Sequence, residues 1–126
     1  MKGREGSAQL IRGGVYLVNF RPQDHNARFR KFILCLQEGE MVRNTNWFVG
    51  IALTTRRLEK HHPADVRISK EENATNRDAK AICSQIHTIP KRNIIELKYV
   101  LSQSTMDEID QKLLFGIGLV PLENYY

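Results

Sequence analysis

The sequence predicts a mainly β domain: a small barrel of short strands, closed by one C-terminal helix. Short apolar runs rich in β-branched and aromatic residues recur along the chain as far as Leu101, a pattern typical of strands. Apolar residues recur at helical spacing only near the C-terminus. Because no internal repeat or linker is evident, residues 1–126 are expected to form one domain, with 1–12 loosely ordered.

Six strands are predicted, over residues 15–20, 32–37, 47–54, 64–68, 79–86 and 93–101. The third is nearly unbroken in its apolar character from Trp47 to Leu53, so we expect it to be buried on both faces. Polar stretches between the strands contain Gly, Pro, Asn and Asp, as turns and loops do. Loops are therefore predicted at 21–29, 58–63 and 69–78, and turns at 38–40 and 87–90.

The closing helix is predicted to begin after Ser104. Ser104 is a good N-cap residue, and Asp107 stands three positions later, which is the spacing of a capping box. Glycine and proline at 116, 118 and 121 are expected to end the helix. Its core-facing stripe is predicted to be Met106, Ile109, Leu113, Leu114 and Ile117.

Composition and charge limit the classes of function. The net charge of +5 favours a polyanionic partner, with nucleic acid first. Cys35 and Cys83 lie inside apolar runs, which predicts buried free thiols and a cytoplasmic protein. No secretory signal or membrane span is evident, and no cofactor-binding or metal-binding motif is present. We therefore expect no membrane association, no cofactor and no metal site.

The most informative stretch is the end of the third strand, where Thr54 and Thr55 precede Arg56 and Arg57. Guanidinium groups bind two phosphate oxygens, and a threonine hydroxyl can donate a further hydrogen bond. Polar groups also stand at two other predicted strand ends, 28–31 and 84–88. Since strand ends of a small barrel gather at one rim, these three stretches are expected to meet there.

Several segments resemble the MazF/PemK (Kid) family of toxin endoribonucleases from bacterial toxin–antitoxin pairs. They are RGGVYLVNF at 12–20, RKFILCL at 30–36 and IALT at 51–54. The most specific is CSQIHTI at 83–89, followed by Lys91 and Arg92, which is close to the family's Gln-Ile-Arg-Thr-Ile signature. The C-terminal helix also matches, so the resemblance covers nearly the whole chain in the right order.

This resemblance implies an SH3-like barrel, a homodimer, and sequence-specific, metal-independent cleavage of single-stranded RNA, in the cell mRNA. The ribose 2′-hydroxyl would attack the adjacent phosphorus. The resemblance further implies a cognate antitoxin, whose acidic and apolar tail would lie across the basic rim and inhibit the enzyme.

Site residues are assigned by position within the resemblance. Thr54 matches the family's catalytic threonine. The catalytic arginine precedes a proline in the family, whereas here Arg30 precedes Lys31. Residue type favours Arg30, and an ungapped match of the apolar run favours Lys31; we choose Arg30. The residues assigned to RNA binding are Arg28, Lys31, Thr55 and Arg56 along the backbone, and Gln85 and His87 at an unstacked base.

Two other hypotheses stay open. The missing arginine–proline pair is compatible with a non-catalytic binding module of the same fold, either a degenerate toxin or a gyrase inhibitor like CcdB. Alternatively, two histidines could act as base and acid in RNA cleavage, drawn from His25, His61, His62 and His87.

Overall fold

The computed structural model describes residues 10–20, 29–73, 75 and 77–119, and within them one antiparallel sheet of six strands. The strands are β1 (Gly14–Phe20), β2 (Phe29–Cys35), β3 (Trp47–Thr54), β4 (Asp65–Ile68), β5 (Ala79–Pro90) and β6 (Ile94–Val100). The helices are α1 (Glu40–Arg43), α2 (Lys70–Asn73) and α3 (Gln103–Gly116), with a 3-10 turn at Lys91–Asn93. The predicted mainly β fold with a C-terminal helix is confirmed.

The sheet has the order β4-β5-β3-β2-β1-β6 and apolar residues on both faces. One cluster, the α3-side core, contains Leu34 and Leu53 together with Met106 and Ile109 of α3. The second cluster, the far-side core, contains Ile33, Phe48 and Ala52. Successive strand residues point to opposite faces, so the alternation of Ile33 and Leu34 between clusters shows a sheet buried on both sides.

The sheet curves but does not close. Val66 of edge strand β4 and Val15 of β1 belong to the same α3-side core, so the sheet bends around that core. Among the described residues, the two edge strands β4 and β6 do not pair with each other. The predicted barrel is therefore an open, curved sheet in this part of the chain, and α3 covers its concave side.

Two of the predicted strand boundaries differ most from the structure. The fifth strand continues through His87 to Pro90, because Trp47 to Gly50 of β3 provide backbone partners there. The second strand begins at Phe29 rather than at Phe32, so Phe29, predicted to end the loop, and Arg30 are both strand residues.

The helix start and one loop also differ from prediction. Ser102, rather than Ser104, caps α3, and its side chain accepts a hydrogen bond from the Thr105 N–H. The segment predicted as a polar loop at 69–78 contains α2 instead. Glu72 of α2 accepts hydrogen bonds from the Ser102 N–H (2.7 Å) and the Thr105 hydroxyl (2.7 Å). Hydrogen bonds, rather than apolar packing, therefore attach this segment to the start of α3.

The expectation of buried, free thiols is confirmed for Cys35 and Cys83. Burial, with the nearby Asp65 carboxylate, raises the pKa of Cys83 to about 12, so its thiol is not a nucleophile at neutral pH. The expected loose segment at 1–12 lies mostly outside the described residues. No helix in the described ranges has the length and apolar character needed to cross a bilayer.

Candidate active site

Thr54 ends β3, and the loop that follows fixes its hydroxyl group. Thr54 Oγ1 accepts a hydrogen bond from the backbone N–H of Arg56 at 3.0 Å. This bond uses a lone pair of the oxygen, so the hydroxyl hydrogen can still be donated. The side chain is half-buried. An oriented hydrogen-bond donor therefore lies at the end of the central strand β3.

An open cleft of about 490 Å³ lies beside Thr54, a size typical of ligand sites. All the charged side chains in its described lining are cationic, which suits an anionic ligand. It brings together five of the residues that the sequence predicts for the site. The lining residues are Arg30, Lys31, Phe32, Ala52, Leu53, Thr54, Thr55, Arg56 and Ile82.

Arg30 and Lys31 lie in the same cleft but on opposite faces of β2. Phe32 belongs to the α3-side core and Ile33 to the far-side core, so strand alternation places Arg30 with Phe32 and Lys31 with Ile33. In the ladder between β2 and β3, Phe32 is opposite Leu53. Ala52 belongs to the far-side core, so Thr54, two residues further along β3, lies on the same face as Lys31.

The two cations differ in their surroundings. Lys31 is half-buried, and its Nζ lies 5.2 Å from the centroid of the Phe20 ring, which is a cation–π distance. Arg30 is exposed, and no hydrogen bond or ion pair joins its guanidinium to any other described residue. Among the described residues, Lys31 therefore packs against an aromatic ring, whereas the Arg30 side chain is exposed.

His87 packs against the same Phe20 ring that Lys31 contacts. The two ring centroids are 5.2 Å apart, and the planes meet at 78°. His87 Nε2 is buried and has no hydrogen-bond partner among the described residues. Burial, and secondly the charge of Lys31, lower the pKa of His87 from its ordinary value of 6.5. The ring is therefore neutral at pH 7, and its ring nitrogen can accept or donate one hydrogen bond.

Of the remaining predicted residues that the structure describes, Gln85 and His87 do not line the cleft. Gln85 is exposed and lies in an irregular stretch of β5, where Ile51 is opposite Ile86 but Leu53 is opposite Ala81. Arg28, which the sequence assigns to RNA binding, lies outside the described residues.

The described histidines are not gathered at the cleft either. His61 and His62 are exposed on the loop between β3 and β4, and His62 Nδ1 accepts a hydrogen bond from the Ala64 N–H at 3.0 Å. His25 belongs to a part of the chain that the structure does not describe. The geometry of the described residues thus gives the two-histidine hypothesis no support.

Sequence reasoning missed Phe20 and Lys80. Phe20 joins His87 to Lys31, and Lys80 is directly opposite Thr54 in the β3–β5 ladder. Lys80 is 7% exposed and forms an ion pair with Asp65, Nζ to Oδ2 3.0 Å. The sequence feature that could have indicated a buried lysine is the position of Lys80 between Ala79 and Ala81 in an otherwise apolar run. Within the described ranges, no three His, Cys, Asp or Glu side chains are grouped to hold a metal ion.

Comparisons with known proteins agree with this architecture. A family model for the PemK-like, MazF-like toxin of type II toxin–antitoxin systems matches residues 11–115. An endoribonuclease from a mycobacterial species is 22% identical, with a TM-score of 0.70 over 87% of this chain and 92% of that chain. An endoribonuclease solved with its cognate antitoxin, also mycobacterial, is 22% identical, with a TM-score of 0.72 over 89% and 98%. A MazE–MazF complex from Deinococcus radiodurans is 18% identical, with a TM-score of 0.73 over 88% and 97%. These structural similarities establish the fold.

Proposed function

Because the chain belongs to the family of PemK-like, MazF-like toxins of type II toxin–antitoxin systems, we propose that it is an endoribonuclease. Its substrate is single-stranded RNA, in the cell mRNA, cut at a short recurring sequence. The observation that carries this proposal is the cleft beside Thr54, where Arg30, Lys31 and Arg56 supply positive charge. Such a lining fits a phosphodiester. The endoribonucleases of similar fold support the same activity.

In the proposed reaction, the ribose 2′-oxygen attacks the adjacent phosphorus, and the bond from phosphorus to the 5′-oxygen of the next nucleotide breaks. The 2′-hydroxyl loses a proton and the leaving oxygen gains one, which yields a 2′,3′-cyclic phosphate and a 5′-hydroxyl. Negative charge grows on the non-bridging oxygens in the transition state. Hydrogen-bond donors already in place stabilise that charge, and each typically contributes roughly 100- to 1,000-fold in rate.

Thr54 and Arg30 are the proposed catalytic residues. The Thr54 hydroxyl, oriented by the Arg56 N–H, donates to a non-bridging oxygen. The Arg30 guanidinium binds two phosphate oxygens with its fork, and it stays charged because its pKa lies above about 12. The positive side chains take the charge-neutralising role that a metal ion has in other nucleases, so the reaction is metal-independent.

The other assigned residues bind RNA around the scissile phosphate. Thr55, Arg56 and Lys31 line the cleft and contact the flanking backbone, as we also propose for Arg28. Gln85 and His87 contact an unstacked base, for which an exposed amide and a neutral ring are suitable groups.

The proposed partners follow from the family and from the surface charge. A cognate antitoxin with an acidic and apolar tail binds across the cationic cleft and inhibits cleavage, as the antitoxin complexes of proteins with this fold suggest. A homodimer is proposed because the edge strand β6 exposes the apolar side chains of Ile95, Leu97 and Val100. We place the active protein in the cytoplasm, where mRNA is available.

Cleavage of a long single-stranded RNA in EDTA tests the function and the assignment of the cation together. The wild type is compared with Arg30→Ala, Lys31→Ala and the control Arg43→Ala, which removes an exposed cation from α1. We expect cuts at a recurring short sequence by the wild type and the control, a loss of at least 100-fold for Arg30→Ala, and a smaller loss for Lys31→Ala. The reverse order for the two variants would assign the catalytic role to Lys31.

One specific observation favours a second candidate, a non-catalytic binding module of the same fold. Lys31 stands where a proline follows the catalytic arginine in the family. If the wild type leaves several diverse RNAs intact, this candidate replaces the first, and inhibition of gyrase becomes the next assay.

A further inference from the structure

A buried lysine stands opposite the proposed catalytic threonine on the neighbouring strand. Lys80 is opposite Thr54 in the β3–β5 ladder and opposite Arg67 in the β4–β5 ladder. Side chains directly opposite in a ladder share a face of the sheet, so Lys80 and Thr54 lie on the same side. Lys80 is nevertheless buried, because the loop between β3 and β4 covers it.

Three acceptors satisfy the three N–H donors of Lys80. Its Nζ donates to the backbone carbonyls of Arg57 at 3.1 Å and Lys60 at 2.8 Å. The third contact is the ion pair with Asp65, Nζ to Oδ2 3.0 Å. The same carboxylate oxygen also accepts the His62 N–H at 3.2 Å. Lys80 and Asp65 together thus hold three points of one loop.

The loop has a conformation that needs such support. Arg57 has a φ of 58°, in the left-handed region that a residue with a side chain rarely occupies. The carbonyls of Arg57 and Lys60 point inward to the ammonium, whereas the side chains of Arg56, Arg57 and Lys60 are exposed. The buried lysine therefore fixes the backbone from which the cationic side chains project.

We propose that Lys80 is a positioning residue of the RNA-cleavage site. By binding the Arg57 and Lys60 carbonyls, it holds the start of the loop so that Thr55 and Arg56 remain in the wall of the cleft beside Thr54. Lys80 does not touch the substrate. This inference rests on the ribonuclease function proposed above, but the loop contact can be tested without RNA.

The main test variant is Lys80→Met with Asp65→Asn. The double change removes the charge of both partners, because a single change would leave one charge buried without its counterion. The matched control is Arg12→Met with Asp110→Asn, since this ion pair joins the chain before β1 to α3, away from the loop. A third variant, Lys80→Arg, keeps a positive charge opposite Asp65 and donors for the two carbonyls.

Two readouts are taken on variants that circular dichroism shows to be folded. Limited trypsin digestion probes the bonds after Arg56, Arg57 and Lys60, and steady-state kinetics on an RNA oligonucleotide separates KM from kcat. We expect Lys80→Met/Asp65→Asn to be cut in the loop at least tenfold faster than the wild type. Its KM should rise at least tenfold, with a smaller change in kcat. The Arg12/Asp110 control and Lys80→Arg should stay within threefold of the wild type.

The inference would be overturned if Lys80→Met/Asp65→Asn resisted trypsin in the loop as well as the wild type does and had an unchanged KM. Equal losses in the Arg12/Asp110 control would also overturn it, because they would indicate general destabilisation. If the wild type cuts no RNA, the catalytic part fails with the proposed function. In that case faster digestion of the loop in Lys80→Met/Asp65→Asn would still establish that Lys80 holds it.

Discussion

Thr54→Val separates the catalytic role of the Thr54 hydroxyl from its structural role. Valine has nearly the shape of threonine and the same branching at Cβ, so β3 should keep its conformation. The structural loss is one hydrogen bond, Arg56 N–H to Thr54 Oγ1 at 3.0 Å. Arg56 is exposed, so water can replace the lost acceptor, and we expect a destabilisation of about 1 kcal/mol or less.

The expected effect on activity is much larger. If the hydroxyl donates to the phosphoryl oxygen in the transition state, its removal should lower kcat by about 100- to 1,000-fold, equivalent to about 2.7–4 kcal/mol. KM should change little, because the lost interaction is strongest in the transition state. Thr54→Ser retains the hydroxyl and should keep activity within about tenfold of the wild type.

The assay is steady-state cleavage of a fluorescent RNA oligonucleotide that contains the recurring cut sequence, in EDTA, with urea unfolding of each variant measured in parallel. A kcat of Thr54→Val within threefold of the wild type would refute the role of the hydroxyl. Equal losses in Thr54→Val and Thr54→Ser would show that the shape of the strand end, and not the hydroxyl, limits cleavage.

Three further predictions concern the framework of the site. Gly50→Ala should destabilise the fold by about 1–3 kcal/mol or more in urea unfolding, because its Cβ would lie 2.4 Å from Ile33 Cγ2 and 2.6 Å from a backbone carbonyl; unchanged stability would contradict the close approach of β2 and β3. Burial and then Lys31 lower the pKa of His87 in the folded protein, so its contribution to stability is present above the unfolded pKa of 6.5 and lost as the pH falls through the folded pKa. His87→Gln should therefore make the free energy of unfolding less dependent on pH as the pH falls below 6.5, and an unaltered pH profile would contradict this. The Cys83 thiol, whose pKa burial raises to about 12, should resist iodoacetamide at about pH 8 in the native state and react after unfolding in urea.

The parts of the fold that could be predicted are those that local pattern determines. The apolar run of β3 predicted a strand buried on both faces, and Phe48, Ile51 and Ala52 are indeed buried. Trp47 is the exception, with 47% of its surface exposed, because it begins the strand beyond the main core. The end of α3 at Gly116 was also correct, since glycine and proline interrupt a helix whatever its neighbours.

The wrong boundaries depended on contacts distant in sequence. His87 to Pro90 contain turn-forming residues, but the start of β3 offers them backbone partners, so they continue β5. The α2 helix has no apolar stripe, and Glu72 attaches it to α3 through two hydrogen bonds. Patterns of hydrophobicity carry no information about such contacts.

The sequence predicted which residues line the candidate site better than it predicted how they are arranged. Thr54 and Arg56 were noticed because their chemistry suits phosphate, and Arg30 was assigned from the family resemblance. The structure gathers all three at one cleft. Lys80 was missed because a lysine in a strand is usually exposed at an edge, and only the folded loop buries it. The assignments of the catalytic cation to Arg30 and to Lys31 differ by one residue in the alignment with the family. Only the activities of the two alanine variants can distinguish them.

The most direct test of the central proposal is the chemistry of the RNA ends that the wild-type protein leaves in EDTA. The account predicts fragments with a 5′-hydroxyl, which polynucleotide kinase labels without prior phosphatase treatment, and with a 2′,3′-cyclic phosphate on the other side of the cut. Fragments with a 5′-phosphate and a 3′-hydroxyl, or cleavage that appears only when a divalent metal is added, would contradict attack by the 2′-hydroxyl at a metal-independent site.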